Sequence, residues 1–259
     1  MYSFKEREQL MNSIIFFMEE KPFFEGLVQI GSGAFGFADI YSDIDFMAGC
    51  YDAECVKNAD AALTDFFAFL GAKHVEKRRW INSAFGISAY FENGLSTDIS
   101  FMPTDEIPIR SSPYKIVLAK TENFSSAVNS AAEKTEKQPK NYGIDDSIHY
   151  RFINELRYAE IALLRKNYIF ADISLNNARQ FLLAAEAVTE GKKLHQFKAY
   201  NTLSEDFIEN LKSTYPQNLN YESISSAKEN LLSLYIKTIK NSKIFTFDES
   251  LLCLINCFE

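Results

Sequence analysis

The sequence predicts an α/β domain followed by an all-α helical bundle. In the first half of the chain, short runs in which apolar and polar residues alternate are interspersed with stretches of helical period. In the second half only the helical period of about 3.6 residues remains. Residues 129–145 (NSAAEKTEKQPKNYGID) are polar and are interrupted by a proline and a glycine, which predicts a linker. We therefore expect one domain over residues 1–135 and a second over residues 145–259.

Two helices are predicted in the first domain from their end signals. Ser3 and Glu6 form a capping-box pattern that opens an amphipathic helix, which should end near Glu20, before a Lys-Pro pair. The second helix is predicted over residues 52–71, where an aspartate is placed to cap the N-terminus and a glycine to end the last turn.

Six short strands are predicted from period-two alternation between turn residues. They cover residues 27–31, 43–48, 73–79, 86–92, 95–102 and 115–118, with a short helix near residues 32–36. Asn93-Gly94, between the fourth and fifth strands, favours positive φ angles and predicts a type I′ hairpin turn. These strands should form the sheet that carries the functional residues of the first domain.

Helices alone are predicted for the second domain. Apolar residues recur at helical spacing over residues 146–166, 170–190, 204–213, 221–240 and 248–257. No internal repeat or low-complexity tract interrupts this pattern, so the helices should pack as a bundle.

Composition is typical of a globular intracellular enzyme. With 259 residues, 47% hydrophobic and 24% charged, the chain has enough apolar residues for a large core and is not disordered. The N-terminus is charged where a secretory signal needs an apolar core, and no apolar run approaches the roughly 18 residues of a membrane span. Four cysteines and three scattered histidines predict buried thiols and no zinc site. We expect a cytoplasmic protein with no membrane partner.

The net charge limits the partners that the chain can bind. There are 35 acidic and 27 basic residues, a formal charge of −8. A protein that binds duplex nucleic acid needs a basic surface, so the sequence disfavours a nucleic-acid partner. An acidic surface is compatible with attracting a cationic small molecule, although solubility alone explains the same charge.

Residues 31–45 (GSGAFGFADIYSDID) carry the first candidate site. Gly31 and Ser32 follow an apolar run, and the turn they predict would present backbone N–H groups and a hydroxyl to a phosphate. Asp43 and Asp45 are two residues apart, so on a strand both carboxylates point to the same face. Two carboxylates this close repel each other unless a cation lies between them, and oxygen ligands suit Mg²⁺. An ordinary turn beside a solvated strand edge explains the same residues without a ligand.

A third carboxylate follows the Asn93-Gly94 turn. Asp98 lies in the middle of an alternating strand among apolar and small residues, where a carboxylate is costly unless it has a partner. If this strand neighbours the strand of Asp43 and Asp45, three carboxylates meet in one cluster. Such a cluster is what a two-metal site for phosphoryl or nucleotidyl transfer requires.

These motifs resemble those of the nucleotidyltransferase superfamily that includes DNA polymerase beta. Within it, residues 91–103 (FENGLSTDISFMP) and 114–124 (YKIVLAKTENF) resemble aminoglycoside adenylyltransferases of the streptomycin 6-adenylyltransferase type. The resemblance implies a mixed sheet in the first domain. Residues 33–37 read GAFGF where that family often has an arginine or another polar residue, so one phosphate contact of the family has no counterpart here.

The resemblance also implies a reaction, the transfer of AMP from ATP to a hydroxyl of a small acceptor. The acceptor would be an aminoglycoside-like, cationic antibiotic, and the outcome would be antibiotic resistance. Asp43 and Asp45 would hold one Mg²⁺ ion, and Asp98 would complete the site of a second and help to deprotonate the attacking hydroxyl. Gly31 and Ser32 would hold the terminal phosphates, and a further hydroxyl contact would come from Ser42.

The second domain would select the acceptor. The resemblance continues through residues 150–182, where Tyr158 and Arg165 fall in a helix that resembles the first C-terminal helix of the family. It implies that the face carrying these two residues borders the active cleft. Simple packing or a surface ion pair explains these two residues equally well. Acidic side chains of the same region, of which Glu155 and Glu160 are examples, would pair with acceptor amines.

A basic cluster, Lys77-Arg78-Arg79, precedes Trp80 and has two interpretations. It contacts the triphosphate, or it is the solvated end of a strand.

Two other functions compete with small-molecule adenylylation. The first is a nucleotidyltransferase that modifies a protein partner, as antitoxin-type members do, but these are usually compact single domains. The second is a non-catalytic nucleotide-binding module, which would have no need of three aspartates.

Overall fold

The computed structural model describes residues 2–37, 39, 41–80, 83–110, 113–137, 144–145, 147–192, 199–246 and 248–256. The chain divides into two compact units, Met1–Pro139 and Lys140–Glu259. The first unit contains a six-stranded sheet with helices, and the described part of the second contains helices joined by turns and irregular segments. The predicted fold class, an α/β domain with a mixed sheet followed by a helical bundle, is confirmed. The predicted boundaries at residues 135 and 145 stay a prediction, because the residues between 137 and 144 lie outside the described part.

The described residues of the first unit form three α-helices and six strands. In chain order they are α1 (Phe4–Glu20), β1 (Phe24–Ile30), β2 (Ile44–Cys50), α2 (Ala53–Phe69), β3 (His74–Arg79), β4 (Phe85–Tyr90), β5 (Ser96–Pro103), β6 (Lys115–Ala119) and α3 (Glu122–Lys137). Single turns of 3₁₀ helix follow β1 at Gly31–Phe35 and β5 at Thr104–Glu106. All six strands and the short helix after β1 were therefore predicted from the sequence.

Local end signals form the first two helices as predicted. The Ser3 hydroxyl accepts a hydrogen bond from the Glu6 N–H at 3.2 Å, and the Glu6 carboxylate accepts one from the Ser3 N–H at 2.7 Å. This reciprocal capping box satisfies two N–H groups that α1 itself leaves unbonded. The Asp52 carboxylate accepts a hydrogen bond from the Cys55 N–H at 2.7 Å and caps α2 in the same way.

The sheet has the strand order β3-β4-β5-β2-β1-β6. The β2–β5 pair is parallel and the other four pairs are antiparallel, so the sheet is mixed. In this register Asp45 lies directly opposite Asp98, and Asp98 lies directly opposite Ser88. Because side chains of directly opposed residues project from the same face, these three share one face of the sheet.

Each face of the sheet is covered by a different set of helices. The core on the first face is formed by α1, α2 and the inward side chains of the strands, among them Leu10, Ile14, Leu63, Phe67, Ile44, Phe46, Ile99 and Phe101. On the second face α3 packs through Phe124, Val128 and Ala132 against Val28 and Met102. Phe124 lies so close to Gly49 that a Cβ there would be 2.6 Å from the phenyl ring. Since Gly49 is four residues beyond Asp45 on β2, α3 covers the far end of the strands rather than the aspartates.

Two predictions for the first unit are wrong. The predicted linker began at residue 129, but α3 continues to Lys137 because its apolar side chains recur every four residues and bury one stripe under a polar outer face. The β4–β5 turn is not type I′, because Asn93 has no positive φ and only Gly94, at +87°, does. The Phe91 N–H donates to the Leu95 carbonyl at 2.9 Å, which makes a three-residue loop with Gly94 in the left-handed position.

The second unit is a set of helices around one apolar core. The helices are α4 (Ser147–Leu164), α5 (Tyr168–Thr189), α6 (Glu205–Lys212), α7 (Tyr221–Asn241) and the short α8 (Cys253–Asn256). Their buried faces meet at Phe152, Leu156, Leu175, Leu182, Leu231 and Tyr235. Cys253, predicted to be a buried thiol, is exposed, and Cys257 lies outside the described residues. Among the described residues no helix is long and apolar enough to cross a membrane.

Candidate active site

Three carboxylates from two separate stretches of the sequence converge at one end of the sheet. Asp43 directly precedes β2, Asp45 is its second residue, and Asp98 is the third residue of β5. One carboxylate oxygen from each lies within 4.8 Å of the other two. Asp43 is exposed, and the other two are half-buried. The structure therefore brings together the three residues that the sequence analysis selected as one cluster.

Strand alternation explains why two of these aspartates avoid the core. Along β2, Ile44, Phe46 and Ala48 are fully buried and face α1 and α2. The residues between them, beginning with Asp45, project from the opposite face. Parallel pairing with β5 then sets Asp98 directly beside Asp45.

The cluster has the chemistry of a site for a hard cation. Three carboxylates so close repel one another unless positive charge lies among them. Oxygen ligands alone, without nitrogen or sulfur, suit Mg²⁺ or a similar ion. Because the three ligand atoms are within coordination reach of a shared centre, these residues fit a divalent metal ion.

The turn at Gly31 packs directly against this cluster. Gly31 has a φ of +65°, and a Cβ built on it would lie 2.5 Å from Oδ2 of Asp45. Only glycine therefore fits here, for its backbone conformation and for the space that the Asp45 carboxylate occupies. Ser32 follows in the same 3₁₀ turn and is half-buried. Both residues lie beside the metal-binding candidates, as the sequence analysis expected, while their role toward phosphate stays a prediction.

The loop before Asp43 is held by a buried arginine that the sequence analysis missed. Arg7 of α1 is only 2% exposed, and its Nη1 donates to the carbonyl oxygens of Asp39, at 2.9 Å, and Ser42, at 3.2 Å. Its guanidinium lies 3.8 Å from the centre of the Phe37 ring. The Tyr2 hydroxyl donates to the same Ser42 carbonyl at 2.9 Å. The sequence contains a signal for this role of Arg7: it is a charged residue on the same helical face as the buried residues Leu10, Ile14 and Met18 of α1.

Ser42 has a structural bond within this loop. Its hydroxyl and its N–H both donate to Oδ1 of Asp39 at 3.1 Å, and the Tyr41 N–H donates to the same atom at 2.8 Å. These hydrogen bonds, the one from Tyr41 first, lower the pKa of Asp39 below its usual value. Asp39 is thus a charged acceptor that folds the loop, and the predicted contact of Ser42 with the nucleotide stays a prediction.

Asp98 is engaged by two donors, one from the adjacent strand β4 and one from β3, the strand beyond it. Arg78 of β3 forms an ion pair with it, with Nη2 at 2.5 Å from Oδ1. The Ser88 hydroxyl of β4 donates to the same Oδ1, and Arg78 also contacts Ser88. A carboxylate in a strand was expected to need a partner, and the structure identifies these two.

The basic cluster of the sequence analysis divides among separate partners. Lys77 forms an ion pair with Asp60 of α2, with its Nζ at 3.0 Å from the carboxylate. Arg79 lies 5.5 Å from the centre of the Phe85 ring. Only Arg78 contacts the carboxylate cluster through a bond that the structure describes. All three side chains are exposed on the edge strand β3, as the solvated-strand interpretation expects, and contact of the basic cluster with the triphosphate stays a prediction.

Residues suggested on the second unit have contacts within that unit. Glu160 is mostly buried and pairs with Lys228, and Glu155 accepts a hydrogen bond from Asn177 at 3.2 Å. Tyr158 is exposed on α4, whereas Arg165 lies one residue beyond the end of that helix. Because Glu160 already has a compensating lysine, its suggested pairing with an acceptor amine loses support. Of the histidines, His149 is buried against the Tyr235 hydroxyl at 2.8 Å, and His195 lies outside the described residues.

Comparisons with known proteins cover nearly the whole chain. A family model described as streptomycin adenylyltransferase matches residues 4–249. An aminoglycoside 6-adenyltransferase from Bacillus subtilis is 18% identical, covers 99% of this chain and 97% of its own, and has a TM-score of 0.41. A nucleotidyltransferase-like protein from Exiguobacterium sibiricum is 11% identical, and the match covers 90% of this chain and 76% of that protein, with a TM-score of 0.45. No curated protein sequence matches at a significant level.

Proposed function

Since the chain belongs to the streptomycin adenylyltransferase family and is a nucleotidyltransferase, we propose that it transfers AMP from ATP to a hydroxyl of a small cationic acceptor. The acceptor class is an aminoglycoside-like antibiotic, and the modification would inactivate it in the cytoplasm. The observation that supports this most directly is the cluster of Asp43, Asp45 and Asp98. A protein that only binds nucleotides has no need of three converging carboxylates.

Asp43 and Asp45 are proposed to hold one Mg²⁺ ion, and Asp98 to complete the site of a second. When bound, these ions neutralise phosphate charge and stabilise the attacking and leaving oxygens. Because most of the catalysis in such transfers is positioning and charge neutralisation, fixed carboxylates are the main contribution of the protein. The pairing of Asp45 with Asp98 in the sheet and the anchoring of the Asp43 loop by Arg7 provide that fixation.

The remaining groups are proposed to bind substrate. The backbone around Gly31 and the Ser32 hydroxyl would hold the terminal phosphates, with the Ser42 hydroxyl as a further donor. The acceptor oxygen would attack the α-phosphorus, the bond from that phosphorus to pyrophosphate would break, and the hydroxyl proton would leave with the help of Asp98, as base or as metal ligand. The second unit is proposed to select the acceptor.

Transfer is tested by incubating the protein with labelled MgATP and a panel of aminoglycosides and lincosamides. We expect labelled acceptor and pyrophosphate from the wild-type chain. Asp43→Asn and Asp45→Asn should abolish both products, because they remove a ligand charge and keep the side-chain shape. Asp65→Asn is the matched control, since Asp65 is exposed on α2, away from the cluster, and it should react normally.

The outcomes separate this proposal from its rivals. Labelling of a protein, with none of the small acceptors modified, would favour the antitoxin-like alternative. Binding of ATP without any transfer would favour a non-catalytic module. Normal turnover by Asp43→Asn or Asp45→Asn with saturating Mg²⁺ and ATP would show that the metal assignment is wrong.

A further inference from the structure

We propose that Arg78 is a positioning residue that competes with a metal ion for Asp98 and so restrains the third carboxylate until the nucleotide arrives. This inference rests on the proposed function, because it assumes that the three aspartates bind a metal ion. It gives a role to the one member of the basic cluster whose described bonds reach the site.

The contacts place the guanidinium at the metal-facing side of the sheet. Arg78 forms the ion pair with Oδ1 of Asp98 at 2.5 Å and also contacts the Ser88 hydroxyl. In the β3–β4 register Glu76 lies opposite Ser88, which in turn lies opposite Asp98. Since Arg78 is two residues beyond Glu76, its side chain projects from the same face as Asp98, in the next row.

A metal ion and this guanidinium cannot both bind Asp98 without cost. A Mg²⁺–oxygen bond is about 2.1 Å long. An ion on the oxygen that Arg78 contacts at 2.5 Å would therefore lie within about 4.6 Å of a guanidinium nitrogen. Two positive charges at that separation repel each other. A cation that binds Asp98 through this oxygen must weaken the Arg78–Asp98 bond or displace it.

Arg78 is free enough to yield. Its side chain is 41% exposed and that of Asp98 is 43% exposed, so the pair is at the surface rather than locked in the core. The guanidinium also lies 5.6 Å from the centre of the exposed Trp80 ring, against which it can rest when it leaves Asp98. A triphosphate can replace the carboxylate, because the fork of N–H donors on a guanidinium matches phosphate oxygens as well as carboxylate oxygens. Arg78 would thus exchange Asp98 for the incoming phosphates, which makes assembly of the second metal site depend on the nucleotide.

The test is the affinity for Mn²⁺ without nucleotide, measured by calorimetry or electron paramagnetic resonance. Arg78→Gln should bind Mn²⁺ about fivefold more tightly than the wild type, which corresponds to the ~1 kcal/mol upper range of an exposed ion pair. Arg78→Lys, which keeps the charge, should stay close to the wild type. Lys77→Gln is the matched control. It also removes one positive charge from β3, but Lys77 is paired with Asp60 rather than with the carboxylate cluster, so the Mn²⁺ affinity should change little.

Three results would overturn the inference. Unchanged or weaker Mn²⁺ binding by Arg78→Gln, with a normal melting temperature, would show that Arg78 does not compete with the metal. Equal gains in Arg78→Gln and Lys77→Gln would reduce the effect to general charge. If neither the wild type nor Arg78→Gln binds Mn²⁺ in a way that Asp43→Asn abolishes, both this inference and the proposed metal site fail. In the first two cases, abolition of binding by Asp43→Asn would keep the proposed metal site, so that only the inference fails.

Discussion

The substitution Gly31→Ala should have two distinct effects, a loss of stability from backbone strain and a displacement of the Asp45 carboxylate in the metal-binding cluster. Gly31 has a φ of +65°, where an L-residue is less stable than glycine by roughly 1–2 kcal/mol. Fewer conformations of the unfolded chain offset about 0.4–1 kcal/mol of that. The net loss of about 1 kcal/mol should lower the melting temperature by about 4 °C for a unit of this size.

The new methyl group should also displace a ligand. It would lie 2.5 Å from Oδ2 of Asp45, whereas ordinary contacts begin at 3.4 Å, so the carboxylate must move by about 0.9 Å. In a plausible metal site each metal–ligand distance lies within about 0.2 Å of its usual value. A displacement of about 1 Å at a reacting site can lower the reaction rate by about 10²-fold. We therefore expect weakened Mn²⁺ binding and about 10²-fold slower transfer, well beyond what the small loss of stability explains.

Gly71→Ala provides the matched control for this experiment. Gly71 ends α2 with a φ of +81°, and a Cβ there meets nothing within 4 Å. It should lose similar stability and keep its Mn²⁺ affinity and activity. Thermal melting, Mn²⁺ titration and pyrophosphate release on one preparation of each variant decide the matter. Wild-type metal binding and turnover in Gly31→Ala, or equal losses in the two variants, would refute the reasoning.

The other predictions concern catalysis, pH and the division of the chain. Asp98→Asn should lower kcat by at least ~10²-fold and leave MgATP affinity within about tenfold, and normal pyrophosphate release would remove Asp98 from the mechanism. Burial, reinforced by Glu190, raises the pKa of Glu186. Between the pKa of the unfolded state and that of the folded state, the folded chain therefore retains a proton that the unfolded chain has lost. Stability should therefore fall as the pH rises above the usual pKa of 4.5, and Glu186→Gln should flatten that slope in melts across pH. Limited proteolysis should cut first near Lys134–Lys140, most readily beyond Lys137 where α3 ends, and dominant early cleavage within residues 43–102 would contradict the predicted boundary.

Features that depend on nearby residues could be predicted from the sequence. The capping box at Ser3, the N-cap at Asp52 and the period of each strand are local, and all are present. The convergence of Asp43, Asp45 and Asp98 was also predictable, because alternation fixes which face each strand presents and the family resemblance implied that the strands are neighbours.

Features that depend on tertiary contacts could not be predicted in the same way. Helix α3 was taken in part for a linker because only a narrow stripe containing Phe124 and Val128 is buried, and its remaining residues are polar. The partner of Arg78 depends on strand register across three strands, which its own sequence neighbourhood does not reveal. Arg7 similarly binds carbonyl groups more than 30 residues away. The side chains that support the three aspartates thus became visible only in the folded chain.

The central claim is that the three-aspartate site catalyses nucleotidyl transfer, and the fate of the two ends of ATP tests it most directly. The wild-type chain is incubated with streptomycin and Mg²⁺, in parallel with ATP labelled on the α-phosphate and ATP labelled on the γ-phosphate. The account predicts that the α label appears on the acceptor, that the γ label appears in pyrophosphate, and that Asp45→Asn abolishes both. Transfer of the γ label to the acceptor would contradict this prediction. Absence of label from streptomycin and from every other aminoglycoside and lincosamide of the panel would contradict it as well.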